Sequence, residues 1–181
     1  MYYNLQVHSA YDLLNSTIKY ESLFLKLARD NQKSVVIVDP NMYGAIKAHK
    51  ESKKAGINLI QGLEVNLGYG IGFLKFNILC KSEKMFYKLL EISTKFMNGE
   101  EWTVEDFSND MVDYREDFVL IVVDELRDSM EFSYLKNLLS KYDFYFGFNE
   151  SFQVGLYSDY DNIVYTKPSF YLNKEHYQQV I

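Results

Sequence analysis

The chain is 181 residues long, 48% apolar and 24% charged, with a formal net charge of −6. That composition suits one globular domain with a real hydrophobic core, and the negative balance repels phosphate backbones, so direct nucleic-acid binding is not expected. One cysteine, Cys80, excludes an internal disulfide. Set in the apolar run Phe76 to Cys80, it reads as a buried, inert thiol of a cytoplasmic protein. The start, Met1-Tyr2-Tyr3-Asn4, lacks a basic region followed by an apolar stretch, and no run reaches membrane-spanning length, so neither a signal peptide nor a membrane helix is expected. The aromatic share of 17%, carried mainly by 16 Tyr and 13 Phe, reads as core.

In chain order, β-rich runs fall at Asn4 to His8, Ser34 to Asp39, Asn58 to Leu67, Phe73 to Lys81, Phe118 to Asp124, Asp143 to Phe148 and Asn162 to Thr166. Helix-period stretches lie between several of them, at Ile18 to Arg29, Met42 to Ala55, Glu83 to Phe96 and Ser129 to Lys141. The alternation predicts an α/β fold of parallel strands joined by crossover helices. The continuous Val35 to Val38 and Val119 to Val123 runs suit strands covered on both faces. Gly68-Tyr69-Gly70-Ile71-Gly72 is the exception: it predicts a hairpin, so one connection lacks its helix. Met97 to Asp117 reads as a loop with a short helix. Nothing divides the chain, so residues 1–181 form a single domain with a barrel-like architecture.

In such a barrel, ligands gather where strands end. Those ends carry His8, Asp39-Pro40, Glu64, Asp124-Glu125, Asn149-Glu150 and Thr166-Lys167-Pro168. Of three histidines, His49 falls in a helix and His176 near the end, which leaves His8 as the one well placed. A two-metal hydrolytic site needs more imidazole and carboxylate ligands than this. A single cation on His8, Glu64 and either Asp39 or Asp12 is conceivable, although acidic residues at loop starts more often cap helices or face water. The glycine-rich 68–72 segment is no phosphate loop, because no Lys-Ser/Thr and no helix follows it. Nucleophilic hydrolysis lacks a serine elbow or a basic partner for Cys80. The aromatic stripe from Tyr142 to Phe148 reads as a buried strand, not as a base-stacking platform.

Several runs are similar to a known family. Leu5-Gln6-Val7-His8-Ser9-Ala10-Tyr11-Asp12-Leu13-Leu14-Asn15 resembles His-x-His-Ser-x-Tyr-Ser-Leu-Leu-Asp-Gly, the first motif of the PHP (polymerase and histidinol phosphatase) domains that begin bacterial DNA polymerase III alpha subunits. Val36 to Gly44, including Asn41-Met42-Tyr43-Gly44, is similar to Ala-Ile-Thr-Asp-His-Gly-Asn-Met-Tyr-Gly, one residue shorter. Lys53 to Val65 resembles Lys-Lys-Ala-Gly-Ile-Lys-Pro-Ile-Ile-Gly-x-Glu-Val. Lys75 to Lys81 resembles His-Leu-x-Leu-Leu-Ala-Lys, and Tyr165 to Glu175 resembles Ala-Thr-Asn-Asp-Val-His-Tyr-Leu-Asn-Lys-Glu. The matches run in the family's order over nearly the whole chain and are weakest from Met97 to Asp161.

The resemblance implies a distorted (βα)7 barrel whose active members hold a cluster of zinc or manganese and hydrolyse phosphoesters, in some polymerases as a proofreading 3′–5′ exonuclease. It also shows where this chain departs. Gln6, Pro40, Lys75, Pro168 and Phe170 stand at metal-ligand positions, while His8, Asp39 and Glu64 are kept, so His8 and Glu64 are the residual candidates. Removing even outer support of a metal ligand commonly costs about 10 to 100-fold in affinity or activity, so losing several ligands is expected to abolish the site. No catalytic residue, metal or cofactor is therefore expected here, and Lys75 is expected to pair with Glu64 in place of the metal. The family pattern further implies a nucleotidyltransferase chain continuing beyond Ile181 into palm, thumb and fingers, with magnesium in that separate site. The domain's partners would be the palm and thumb, and also a proofreading exonuclease, the sliding clamp or other replisome subunits. The rival expectation is a free-standing PHP phosphoesterase with a partial metal site.

Overall fold

The computed structural model describes residues 4–123, 129–149 and 161–172. α1 (Tyr20–Arg29) buries Tyr20, Leu23 and Phe24 and leads into β1 (Ser34–Asp39), α2 (Ala45–Ala55) and β2 (Asn58–Tyr69). β3 (Gly72–Cys80) follows at once, across a turn in which Gly70 takes φ 58°, a conformation cheap only without a Cβ. α3 (Glu83–Met97) starts at Ser82, whose hydroxyl accepts from the Met85 amide. α4 (Val104–Asp110) starts at Thr103, which forms a reciprocal capping box with Asp106. A 3₁₀ turn (Val112–Tyr114), β4 (Phe118–Val122), α5 (Ser129–Leu139), β5 (Phe144–Phe148) and β6 (Ile163–Tyr165) complete the described elements.

The strands lie in chain order in one sheet, β1 to β6. β1–β2, β4–β5 and β5–β6 are parallel, as the strand and helix alternation predicts. β3 is antiparallel to both neighbours. The hairpin had already reversed it, so the helical connection through α3 joins antiparallel strands. The expected first strand, Asn4 to His8, contracts to bridges at Val7, which pairs with Ile37 on one side and Ser169 on the other. There Val38 N donates to Val7 O at 2.9 Å and His8 N to Ser169 O at 2.9 Å, which ties the two edges of the sheet into a distorted barrel. The helix expected from Met42 begins at Ala45, because Asn41 is spent on a turn in which its Oδ1 accepts from Tyr43 N.

Two-residue periodicity sorts every strand into an outward and an inward face. The outward residues Leu63, Val65 and Leu67 of β2, Leu74, Phe76 and Ile78 of β3, and Phe144 and Phe146 of β5 join the helices in the main core. The aromatic stripe near the end of the chain is thus core, with Phe132 stacked on Phe146 at 3.7 Å. Inward, a smaller apolar layer of Val36, Val38, Leu79 and Ile121 fills the barrel. Above it the inward positions turn polar, at Gln6, His8, Glu64, Lys75 and Asn77. That change of character along the same faces marks the mouth. No helix among the described residues is long and apolar enough to cross a membrane.

Candidate functional site

The mouth is a cavity of about 300 Å³ lined by residues that include Gln6, His8, Asp12, Glu64, Lys75 and Phe170. β2 contributes Glu64 and β3 contributes Lys75. In the antiparallel register Glu64 faces Asn77 and Lys75 faces Asn66, so Glu64 and Lys75 are diagonal neighbours on the inward face. Their side chains meet, with Lys75 Nζ 3.3 Å from Glu64 Oε1. The other carboxylate oxygen, Oε2, accepts from Gln6 Nε2 at 3.5 Å. Both oxygens of the retained carboxylate are therefore engaged by donors from the chain itself.

His8 is buried between two carboxylates that lie on opposite sides of its ring. Nδ1 is 3.1 Å from Asp12 Oδ2, though off the hydrogen-bonding angle, and Nε2 is 3.7 Å from Glu64 Oε2. The Gln6 amide nitrogen stands 3.3 Å from His8 Nε2. The Gln6 amide and the Glu64 carboxylate thus both face Nε2, and Asp12 faces Nδ1. The Phe170 ring stacks on the imidazole at a centroid distance of 4.6 Å. Burial pushes the Asp12 carboxyl up, but its contacts with His8 and Asn15 and the charges of His8 and Lys75 outweigh that and leave it below the ordinary value.

Asp39 behaves differently from the cation ligand weighed above. Its Oδ1 accepts from Ser9 N at 2.6 Å, and its Oδ2 accepts from Ser9 Oγ at 2.6 Å and Tyr20 Oη at 3.3 Å. It does not line the mouth. Burial pushes its carboxyl up, and these hydrogen bonds only partly offset the push. Asp12, Asp39 and Glu64 are thus neither helix caps nor solvated charges: each is inside the fold and bonded. His49 lies on α2, away from the mouth, as its helical position predicts. Asp124, Glu125, Glu150 and His176 lie outside the described residues. Cys80 is only half-buried, its thiol donating to Ser82 O at 2.9 Å, so it is less enclosed than its apolar run suggests.

These donors do not fit a metal cluster. His8 Nε2 is faced by the Gln6 amide nitrogen at 3.3 Å, Glu64 is paired with Lys75, Asp39 accepts from Ser9 and Tyr20, and the side chains of Pro168 and Phe170 carry no donor atom for a cation. Asn15, which ligand spacing alone did not single out, also lines the mouth, and Asn77, opposite Glu64 in the register, is buried behind it without lining the cavity. The register supplied the available signal for Asn77, two residues from Lys75 on one face.

The fold and this mouth define a distorted α/β barrel with a polar cavity at one end. The PHP domain family model matches residues 4–179, and the chain belongs to that family. Its relatives include the DNA polymerase III alpha subunits of Mycoplasma genitalium, 34% identical over 93 residues, and Bacillus subtilis, 38% identical over 95 residues; these alignments cover 51% and 50% of the chain. The alpha subunit of Borreliella burgdorferi is 30% identical over 129 residues, 64% of the chain. The alignments take in only 11%, 8% and 11% of those three relatives, so the chain corresponds to about a tenth of their length. A candidate metal-dependent phosphoesterase from Bifidobacterium adolescentis shares the fold with a TM-score of 0.63 at 9% identity, covering 98% of this chain and 94% of that one. An amidohydrolase from Chromobacterium violaceum, with bound sulfate and no metal, gives a TM-score of 0.63 at 10% identity, covering 98% and 95%.

Proposed function

We propose that this is the PHP domain of a bacterial replicative DNA polymerase III alpha subunit, and that it serves as a structural module without phosphoesterase activity. The observation that carries the second part is the double engagement of Glu64, by Lys75 Nζ at 3.3 Å and Gln6 Nε2 at 3.5 Å. An ammonium and an amide N–H engage the two carboxylate oxygens, and a cation beside them would be repelled by Lys75. The polymerase assignment is supported by the alpha-subunit relatives and by the Asn41-Met42-Tyr43-Gly44 run. Nucleotide addition, with its magnesium, belongs to the palm of such a subunit, and this domain contributes packing and docking surface within a cytoplasmic replication complex.

The test is elemental analysis of protein purified without chelator, together with bis(p-nitrophenyl) phosphate hydrolysis and 3′–5′ exonuclease assays with added zinc or manganese. Substoichiometric metal and no turnover are expected. Stoichiometric metal with turnover abolished by Glu64→Gln would replace this reading with that of a PHP phosphoesterase.

A further inference from the structure

Each strand from β1 to β5 buries two or more apolar side chains, among them Val35 to Val38 of β1 and Phe144 and Phe146 of β5. The piece of wall that closes the barrel does not. In residues 161–172 the buried side chain is Thr166, while Ile163, Val164 and Leu172 lie half-buried, each against a different apolar cluster. Local stability follows buried apolar contact, so this segment is the weakest part of the described wall.

Its attachments are short as well. β6 meets β5 over three residue pairs, and on the other side the segment meets the start of the chain through an isolated bridge between Ser169 and Val7. Five amide bonds mark the two joins. On the β5 side Thr166 N donates to Phe148 O and Phe146 N to Asn162 O, both at 2.8 Å. On the far side Ser169 N donates to Gln6 O, His8 N to Ser169 O and Thr17 N to Phe170 O, each at 2.9 Å. Val7, by contrast, is buried and is held to β1 independently, Val7 N donating to Val36 O at 3.2 Å and Val38 N to Val7 O at 2.9 Å.

The inner side of the same segment faces the mouth, where Thr166, Pro168 and Phe170 line the cavity. The Phe170 ring rests on His8 at a centroid distance of 4.6 Å. His8 is fixed without it, between Asp12 and Glu64 and with its carbonyl accepting from Ser16 Oγ at 2.7 Å.

We propose that residues 161–172 are a strap that opens as one unit while the rest of the barrel stays folded, with the Phe170 ring on His8 as its latch. The seam parts between Gln6-Val7-His8 and Ser169, not between Val7 and β1. Opening takes Thr166, Pro168 and Phe170 out of the cavity wall and bares His8 and Glu64 to solvent, so the mouth has a movable side.

Native-state hydrogen exchange of the 181-residue chain, read residue by residue by NMR, tests this. The amides of His8, Thr17, Phe146, Thr166 and Ser169 should share one opening constant, larger by about tenfold or more than those of Val38 and of the β1–β2 ladder. Phe170→Ala should speed exchange at those five amides by about three- to tenfold, the worth of one stacked ring pair, and leave the ladder unchanged. Phe170→Tyr, which keeps a ring, should restore the wild-type rates. Val38 exchanging together with His8 would mean that the N-terminal strand leaves instead of the strap. Five unrelated rates would mean independent fraying, and five as slow as the ladder a barrel that opens only globally. Faster exchange at every amide in Phe170→Ala would make Phe170 a general packing residue. Each of these four results overturns the proposal. The readout involves neither metal nor turnover, so it is separate from the question of phosphoesterase activity.

Discussion

Lys75 and Glu64 sit on adjacent antiparallel strands, two residues out of register, and bring an ammonium to 3.3 Å from a carboxylate at the barrel mouth. Glu64 has a side chain only 11% exposed and Lys75 one 43% exposed, so solvent screens the pair on one side only. Lys75→Met and Glu64→Gln should each destabilise the domain, with a coupling energy in the double-mutant cycle of about 0.5–1 kcal/mol, the upper range of partly exposed pairs. Urea denaturation of the four proteins measures it. Zero coupling would remove the ion pair from any structural role. Lys75→His alone should gain no stoichiometric zinc, since Gln6, Pro40, Pro168 and Phe170 still withhold ligands.

The two buried aspartates should pull the pH dependence of stability in opposite directions. Asp12 is held below its ordinary value of 3.8, so its contribution is complete above that pH and is lost as pH falls through the lower folded value. Asp39 is raised above 3.8, so the folded state binds its proton more tightly, and stability falls as pH rises from 3.8 through the folded value. In denaturation curves taken across this range, Asp12→Asn should flatten the acid limb and Asp39→Asn the opposing limb above it. The slope is the readout, because Asp39→Asn also weakens the acceptors that hold Ser9 and Tyr20.

Asn77 is fully buried on the inward face of β3, and neither atom of its amide has a hydrogen-bond partner. An unsatisfied buried polar group typically costs about 1–3 kcal/mol, so Asn77→Leu, close in size, should leave stability unchanged or raise it by about 1 kcal/mol. A loss of stability in chemical denaturation would show instead that an internal water satisfies the amide.

Gly62 occupies the inward face beside the small apolar layer. A Cβ there would lie 2.9 Å from Leu79 Cδ2, 3.0 Å from Val38 Cγ2 and 3.1 Å from the Ile78 carbonyl oxygen. Since one of these neighbours is backbone, the strand itself must shift, and Gly62→Ala should cost about 1–3 kcal/mol, the usual range for overpacking. A thermal melt within a degree of the wild type would mean that the barrel interior is looser than these distances require.

Much of this fold was legible before any coordinates. Val35 to Val38 reads as a doubly covered strand because every residue is apolar, and the glycines from Gly68 to Gly72 read as a hairpin because a turn there needs a residue tolerant of positive φ. The departures from the family motifs at Gln6, Pro40, Lys75, Pro168 and Phe170 were likewise visible in the sequence. The antiparallel β3–β4 pairing was not, since helix and strand periodicity carries no information on strand direction.

What the sequence determined alone was the family, the order of the elements and where the chain departs from the family motifs, because those depend on residue identity and local periodicity. Only the tertiary structure decided what those residues touch. It set His8 between Asp12 and Glu64 rather than beside both on one side, and gave Asp39 to Ser9. Each depends on how strands far apart in the chain twist into register, and a difference of one residue in that register would turn every one of these side chains to the opposite face.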